Sequence, residues 1–494
     1  MKATCVALSV CIGAATLPIV CSCKRSEERM PCAEYVIEAE YEEKTRTLRG
    51  VSTVNYRYCG ENSRETLTFQ TYTAAYREGA RYTPISPLNE ETAYYDGKSY
   101  AKTSVLTVEG GEYEIGGEDE NLLSVRLKEP LYDGDSVEVT VAFEVVLPKV
   151  NHLFGASEYA VNLGNFFPIL CAEYGESGEV YVTEYSYIGD PFLSDSANFS
   201  VSITLPRAYV VAASGKEVAC EYVERNGEAS AKRTYEGQNM RDFAFVCAKG
   251  LQCAETVALT GEGEAIVRYY SAEKQRAELG AKLAREAIEY YSAAYGVYPY
   301  DTYALADTGL CADGATYPGL TMIDAALSEQ KLHYTIAHES AHQWWYAAVG
   351  SNQAEESWQD EGLAEYSAAR FFDEHGEYGV KKEESETAAV AEYRAFFDVY
   401  SVVLGAADTR MSRPLREFSS EAEYRAIAYD KAFILFCTAE KTLGRRAIDS
   451  ALRRYYRENR FLIATPDCLI GAFEREKADV SGLFRAYLDG EAIV

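Results

Sequence analysis

Thr335-Ile336-Ala337-His338-Glu339-Ser340-Ala341-His342-Gln343-Trp344-Trp345 is the stretch whose reading decides the rest of the chain. Coiled as a helix, it sets His338 and His342 one turn apart and facing the same way, so both imidazoles reach one ion. Glu339 lies beside them, placed to serve as a base without ligating. The chain holds 5 histidines in 494 residues, and His-Glu-x-x-His is expected by chance only about 0.005 times in such a sequence. Two histidines do not complete a catalytic zinc site, which takes a third protein ligand and an open position. Ser357-Trp358-Gln359-Asp360-Glu361-Gly362-Leu363-Ala364-Glu365-Tyr366 supplies one. It reads as a helix capped by Ser357 and closed by Gly376. Two antiparallel helices would then bring His338, His342 and Glu361 to one zinc ion per chain. Trp344, Trp345 and Trp358 fall in the same region and are expected to pack these helices and keep the metal's surroundings dry.

Working outward, the pattern changes near residue 268. Before it, Val137, Val139, Val141, Phe143 and Val145 alternate with Glu138, Thr140, Ala142 and Glu144, and Phe199, Val201, Ile203 and Leu205 alternate until Pro206. A period of two predicts antiparallel strands with one buried and one wet face. After Ser271, Leu279, Leu283, Ala287, Tyr291 and Tyr295 recur every four residues, with Gly296 where a helix would end. From there the pattern is mainly helical, apart from a strand-like piece around Gly319-Leu320-Thr321-Met322-Ile323. The chain is therefore expected to be α+β: a β-rich domain over 34–268 and a mainly helical domain over 269–494. A chain of this length has room for two to four domains, each with its own core.

The formal charge of −29 and the pI near 4.7 are the wrong sign for neutralising phosphates, which argues against nucleic acid as a partner. At the amino terminus, Lys2 precedes an apolar stretch from Ala3 to Val20, and small residues lead to Lys24 and Arg25. This layout predicts a signal over 1–23, followed by a linker over 24–33. Val20-Cys21-Ser22-Cys23 is similar to a bacterial lipobox, with Cys23 as the lipid anchor. An uncleaved hydrophobic anchor over residues 3–21, or secretion, would equally place the chain outside the cytoplasm. Nine cysteines follow Cys23, an odd number with no CxxC pair. They are expected to be mostly small buried hydrophobes.

His338-Glu339-Ser340-Ala341-His342-Gln343-Trp344-Trp345, with Trp358-Gln359-Asp360-Glu361-Gly362-Leu363-Ala364 and 18 residues between His342 and Glu361, resembles the zinc signature of the aminopeptidase-N-like metallopeptidases, the gluzincins. Val161-Asn162-Leu163-Gly164-Asn165-Phe166-Phe167-Pro168 and Ile188-Gly189-Asp190-Pro191-Phe192 are similar to segments of its short bacterial members. The resemblance implies a saddle-like β-rich domain followed by a thermolysin-like catalytic domain, and peptides as substrates. Ala428-Tyr429-Asp430-Lys431-Ala432 resembles the family's Tyr-x-Lys-Gly segment, which implies that Tyr429 stabilises the oxyanion; Ala432 departs from the family's glycine. Asp313-Gly314-Ala315-Thr316-Tyr317-Pro318-Gly319-Leu320 aligns with the family's Gly-Gly-Met-Glu-Tyr-Pro-Gly-Leu segment. The resemblance thus implies substrate-binding roles for Gly314, Ala315 and Thr316. Thr316, however, stands where the family's glutamate binds the substrate's free amine, and a threonine offers no charge to an ammonium group. Asp313 and Glu158 are the candidate replacement carboxylates.

The expected activity is therefore a zinc-dependent, aminopeptidase-like peptidase outside the cytoplasm, with Glu339 as general base, Tyr429 as oxyanion donor and altered recognition of the amino terminus. The alternative is a catalytically impaired zinc- or peptide-binding lipoprotein of the same fold. Nothing in the sequence sets the oligomeric state.

Overall fold

A computed structural model describes residues 31–174, 179–225, 227–261, 263–477 and 479–494. Cys23 and the expected signal over 1–23 lie outside the described residues. No described helix is long and apolar enough to cross a membrane.

The main sheet has seven strands, ordered Lys216–Arg225, Glu228–Met240, Ala197–Pro206, Ala33–Glu42, Thr47–Arg57, Ser136–Val146 and Lys102–Glu109. Its neighbours are antiparallel, except that Ala33–Glu42 runs parallel to Ala197–Pro206. Val139, Val141, Phe143 and Val145 are buried in alternation, as their spacing predicts. In Ala197–Pro206 the alternation is incomplete, because Ser202 and Thr204 are buried together with Val201, Ile203 and Leu205. Only its first half, where Asn198 and Ser200 are half-buried, keeps the alternation. The cysteine expectation is corrected as well: only Cys247 and Cys437 are buried, and Cys59, Cys220, Cys253 and Cys468 are exposed. Cys220 sits in Lys216–Arg225, a strand at the end of the sheet whose side chains are nearly all exposed.

A second, five-stranded sheet carries the site, in the order Gln252–Leu259, Glu264–Ser271, Thr302–Thr308, Leu320–Asp324 and Gly314–Tyr317. The helix Lys274–Ala294 connects its parallel strands Glu264–Ser271 and Thr302–Thr308. That helix buries Ala277, Ala281, Leu283, Ala284, Ala287, Ile288 and Tyr291, and Tyr295 and Gly296 follow its end, close to where the four-residue spacing placed it. Leu279 is only half-buried. The expected boundary at 268/269 falls inside the strand Glu264–Ser271, which pairs on both sides within this sheet.

Beyond the sheet the chain is helical to Leu488, and the helices that matter for the site are Glu329–Ala341, Trp358–Glu374 and Ala432–Leu443. The buried guanidinium of Arg241 ties the strand-rich part to the helical part. It donates to the carbonyls of Ser194, Tyr346, Ala348 and Leu462, so the buried charge is met by backbone dipoles.

Candidate metal centre

The helix Glu329–Ala341 starts at Ser328, whose hydroxyl accepts from Lys331 N. It buries Leu332, Thr335, Ile336, His338 and Glu339. His342 follows the last helical residue but keeps right-handed helical angles, so it still lies one turn beyond His338. The helix Trp358–Glu374 brings Glu361 in its first turn. Ser357 precedes it as expected, but its side chain makes no capping bond there. Gly362, the residue after Glu361, meets the helix Ala432–Leu443 so closely that an added Cβ would lie 2.5 Å from the Cβ of Ala432. Only glycine admits that approach, which holds Glu361 against the helix that follows Tyr429.

The three side chains converge as the sequence predicts. One ligand atom from each of His338, His342 and Glu361 lies within 4.8 Å of the others. The two Nε2 atoms are 3.1 Å apart, and Glu361 Oε2 is 3.3 Å from His338 Nε2 and 3.4 Å from His342 Nε2. Each ring is oriented from behind: His342 Nδ1 lies 3.2 Å from the Trp345 carbonyl, and His338 Nδ1 lies 3.3 Å from Glu365 Oε1. With Nδ1 so engaged, both Nε2 lone pairs face one point. Two imidazoles and one carboxylate are the donor set of a catalytic zinc site, and zinc is the cofactor these residues fit.

The electrostatics agree. Burial disfavours charge on His342, but Glu361 outweighs it and raises His342 to about 9. Burial likewise opposes ionisation of Glu361, and the two imidazoles overcome it and hold the carboxyl well below its usual range. This pocket stabilises positive charge. The three tryptophans are fully buried, Trp344 against Tyr291 and Tyr298 and Trp345 against Tyr295 and Tyr455. Their indole N–H groups are satisfied by Gly296 O, Ser367 Oγ and Glu356 Oε2.

Around this centre stand the other expected residues. Glu339 is buried next to the ligands, and burial raises its carboxyl above the usual range against the opposing pull of both histidines. Tyr429 stacks on His338 with ring centroids 6.0 Å apart and 14° between planes. It lies in a π-helical turn, Arg425–Lys431, of a kind common at functional sites. Gly314, Ala315 and Thr316 form the edge strand Gly314–Tyr317, which pairs on one side with Leu320–Asp324. A Cβ on Gly314 would lie 2.9 Å from Glu339 Oε1, so the strand runs against the base. The Thr316 hydroxyl donates to Glu339 Oε2 at 2.7 Å.

Both candidate replacement carboxylates lie at the surface. Asp313 pairs with Lys331 at 3.3 Å in the open, and Glu158 is exposed. The sequence reading missed Asp190. Gly189 packs on the Tyr424 hydroxyl, where an added Cβ would lie 2.7 Å away, and Tyr424 is edge-on to Tyr429 at 5.6 Å. Burial, with the charges of Glu361 and Glu339 behind it, pushes Asp190 up to about 7. Glu365 was missed as well. Its signal was its place four residues after Glu361 on the same helical face.

Residues 317–487 match the family described as Peptidase family M1 domain, a span that contains all three ligands and Tyr429. The fold and the site thus define a hydrolase, a zinc metallopeptidase. Over residues 317–487 the chain is similar to the domain of peptidase family M1. Among solved structures, the M1 zinc metallopeptidase from Deinococcus radiodurans is similar at 17% identity, with a TM-score of 0.62, over 94% of this chain and 95% of that one. A mutant of that enzyme bound to a Tyr-Ser-Ala substrate is similar to the same extent. This likeness extends the shared fold through both the strand-rich and the helical part. No curated protein matches the chain in sequence.

Proposed function

We propose that the chain is an aminopeptidase-like peptidase acting outside the cytoplasm, anchored through Cys23, with a catalytic domain behind its β-rich amino-terminal domain. The observation that carries the peptidase reading is the convergence of His338, His342 and Glu361 with Glu339 and Tyr429 beside them. Zinc bound by the three ligands would polarise the scissile carbonyl and make water a nucleophile near neutral pH. Glu339 takes the proton from the attacking water and hands it to the leaving amine. Tyr429, whose hydroxyl faces Glu361, donates to the oxyanion as charge develops there. The free edge of Gly314–Tyr317 pairs with an extended peptide by backbone hydrogen bonds, in keeping with the tripeptide held by the Deinococcus radiodurans relative.

Amino-terminal recognition differs from the family's pattern. Thr316 directs its hydroxyl to Glu339. Asp190 is an acid whose charge acts on this centre and which accepts no hydrogen bond among the described residues. It is the group suited to the substrate ammonium.

The test is zinc stoichiometry on the chain lacking residues 1–23, then hydrolysis of a peptide pair with free and acetylated amino termini. One zinc per chain and preference for the free terminus support the aminopeptidase reading. Equal cleavage of both refutes amine recognition, and zinc without cleavage of either marks a binding protein. Glu339→Gln should bind zinc and lose turnover; a metal-replete variant that still hydrolyses peptide would refute its role as base.

A further inference from the structure

Behind Glu339 a row of hydroxyls crosses the sheet. Ser340 Oγ lies 3.2 Å from the Tyr303 hydroxyl, which lies 2.9 Å from Thr321 Oγ1. Thr321 Oγ1 lies 3.0 Å from Thr316 Oγ1, and Thr316 Oγ1 lies 2.7 Å from Glu339 Oε2. Tyr303, Thr321 and Ser340 are fully buried. Three of the hydroxyls come from adjacent strands, Thr302–Thr308, Leu320–Asp324 and Gly314–Tyr317, with Thr316 and Thr321 directly opposite each other, and Ser340 comes from the helix Glu329–Ala341.

The direction of this row is forced from one end. An ionised carboxylate only accepts, so Thr316 gives its single proton to Glu339. Thr316 also lies 3.0 Å from the Glu339 carbonyl, but the shorter contact to the charged acceptor takes the larger share of that proton. With its proton committed, Thr316 accepts from Thr321, Thr321 from Tyr303 and Tyr303 from Ser340. Each hydroxyl has one donor, so no other arrangement satisfies every member while Glu339 is charged. Hydroxyls aligned this way polarise one another and strengthen the terminal bond.

A carboxylate with one oxygen fixed has the other aimed. Oε2 is fixed by Thr316, and Oε1 lies against the edge strand at Gly314. A glutamate at position 316 would bring a second negative charge toward the base and remove the donor. We propose that Thr316, at the head of the row Ser340–Tyr303–Thr321–Thr316, is the positioning residue of the general base. The substitution that gives up amine binding at this place thus installs a clamp on Glu339. The proposal rests on the reading of Glu339 as the base.

Thr316→Val removes the hydroxyl at constant shape, and Thr316→Ser keeps it. A lost hydrogen bond to a charged group corresponds to a fall in kcat of about 10- to 100-fold. That fall is expected for Thr316→Val with KM and zinc content unchanged, while Thr316→Ser stays within about threefold of the parent. Thr321→Val, one step back, should lower kcat by less. Full kcat in a zinc-replete Thr316→Val, or equal losses in the Val and Ser variants, would overturn the proposal. A second measurement is independent of turnover: the thermal midpoints of Thr316→Val, Glu339→Ala, which removes the acceptor, and the double variant. Non-additive shifts are expected, because each single change breaks the same bond; strictly additive shifts would overturn it. If the parent cleaves no peptide, the peptidase reading has failed, and the thermal cycle still decides whether Thr316 holds Glu339.

Discussion

Replacing Glu365 by glutamine removes one charge and almost no volume from a residue that touches no metal. Its Oε1 lies 3.3 Å from His338 Nδ1, while its Oε2 accepts from the Tyr334 hydroxyl. Glutamine leaves one carbonyl oxygen to accept from Nδ1. Its amide N–H₂ then faces Tyr334, whose hydroxyl must turn to accept instead of donate. The imidazole keeps its tautomer but loses the anion that makes its Nε2 a stronger ligand. Removing such an outer partner typically weakens metal binding about 10- to 100-fold, or about 1.4–2.8 kcal/mol. The assay is competition for zinc against a chromophoric chelator, with the metal-free melting temperature measured in parallel. Glu361→Gln is the reference and should lose far more affinity, because Glu361 Oε2 stands within 3.4 Å of both Nε2 atoms. Zinc affinity within twofold of the parent in Glu365→Gln, with an unchanged metal-free midpoint, would refute the idea that Glu365 tunes His338.

Tyr429→Phe keeps the ring stacked on His338 and removes the oxyanion donor, so kcat should fall about 100- to 1000-fold with zinc content and KM little changed. Asp190→Asn should lower kcat/KM for a peptide with a free amino terminus about 10- to 100-fold and leave the acetylated peptide unaffected; equal losses on both would dismiss Asp190 as the amine partner. The third concerns stability. His152 packs with its Nδ1 2.6 Å from the Tyr76 hydroxyl, and burial lowers it from 6.5 to about 4. The unfolded chain therefore takes up a proton between these values that the folded chain refuses. The stability His152 contributes is complete above pH 6.5 and lost as the pH falls toward 4. In urea titrations across this window, His152→Gln should show a shallower decline than the parent.

The metal ligands were legible because a helix imposes its own geometry: two histidines four apart and a glutamate at the start of a second helix need no knowledge of loops. The strands around Val141 and Ile203 were legible for the same local reason. Asp190 was invisible because its relation to Glu361 arises from packing of chain segments far apart in sequence. The Thr316 bond to Glu339 was equally hidden, since it depends on the edge strand lying against a helix that begins twelve residues after it ends. The π-helical turn under Tyr429 leaves no mark in residue spacing. Cysteine burial does not follow from residue type, since Cys220 and Cys253 lie on exposed strands.

The strands Gln252–Leu259 and Glu264–Ser271 belong to the sheet of the catalytic half although they precede its first long helix. A fragment begun at residue 269 would strip Thr302–Thr308 of its partner along one side. All seven residues of that strand are buried, and a bare apolar edge recruits other chains. Proteolysis or gene truncation between the strands and the helix would thus yield aggregates instead of a smaller enzyme. The shortest fragment able to close this sheet begins before Gln252, which gives a practical rule for dissecting the protein and a reason for its two parts to be inherited together.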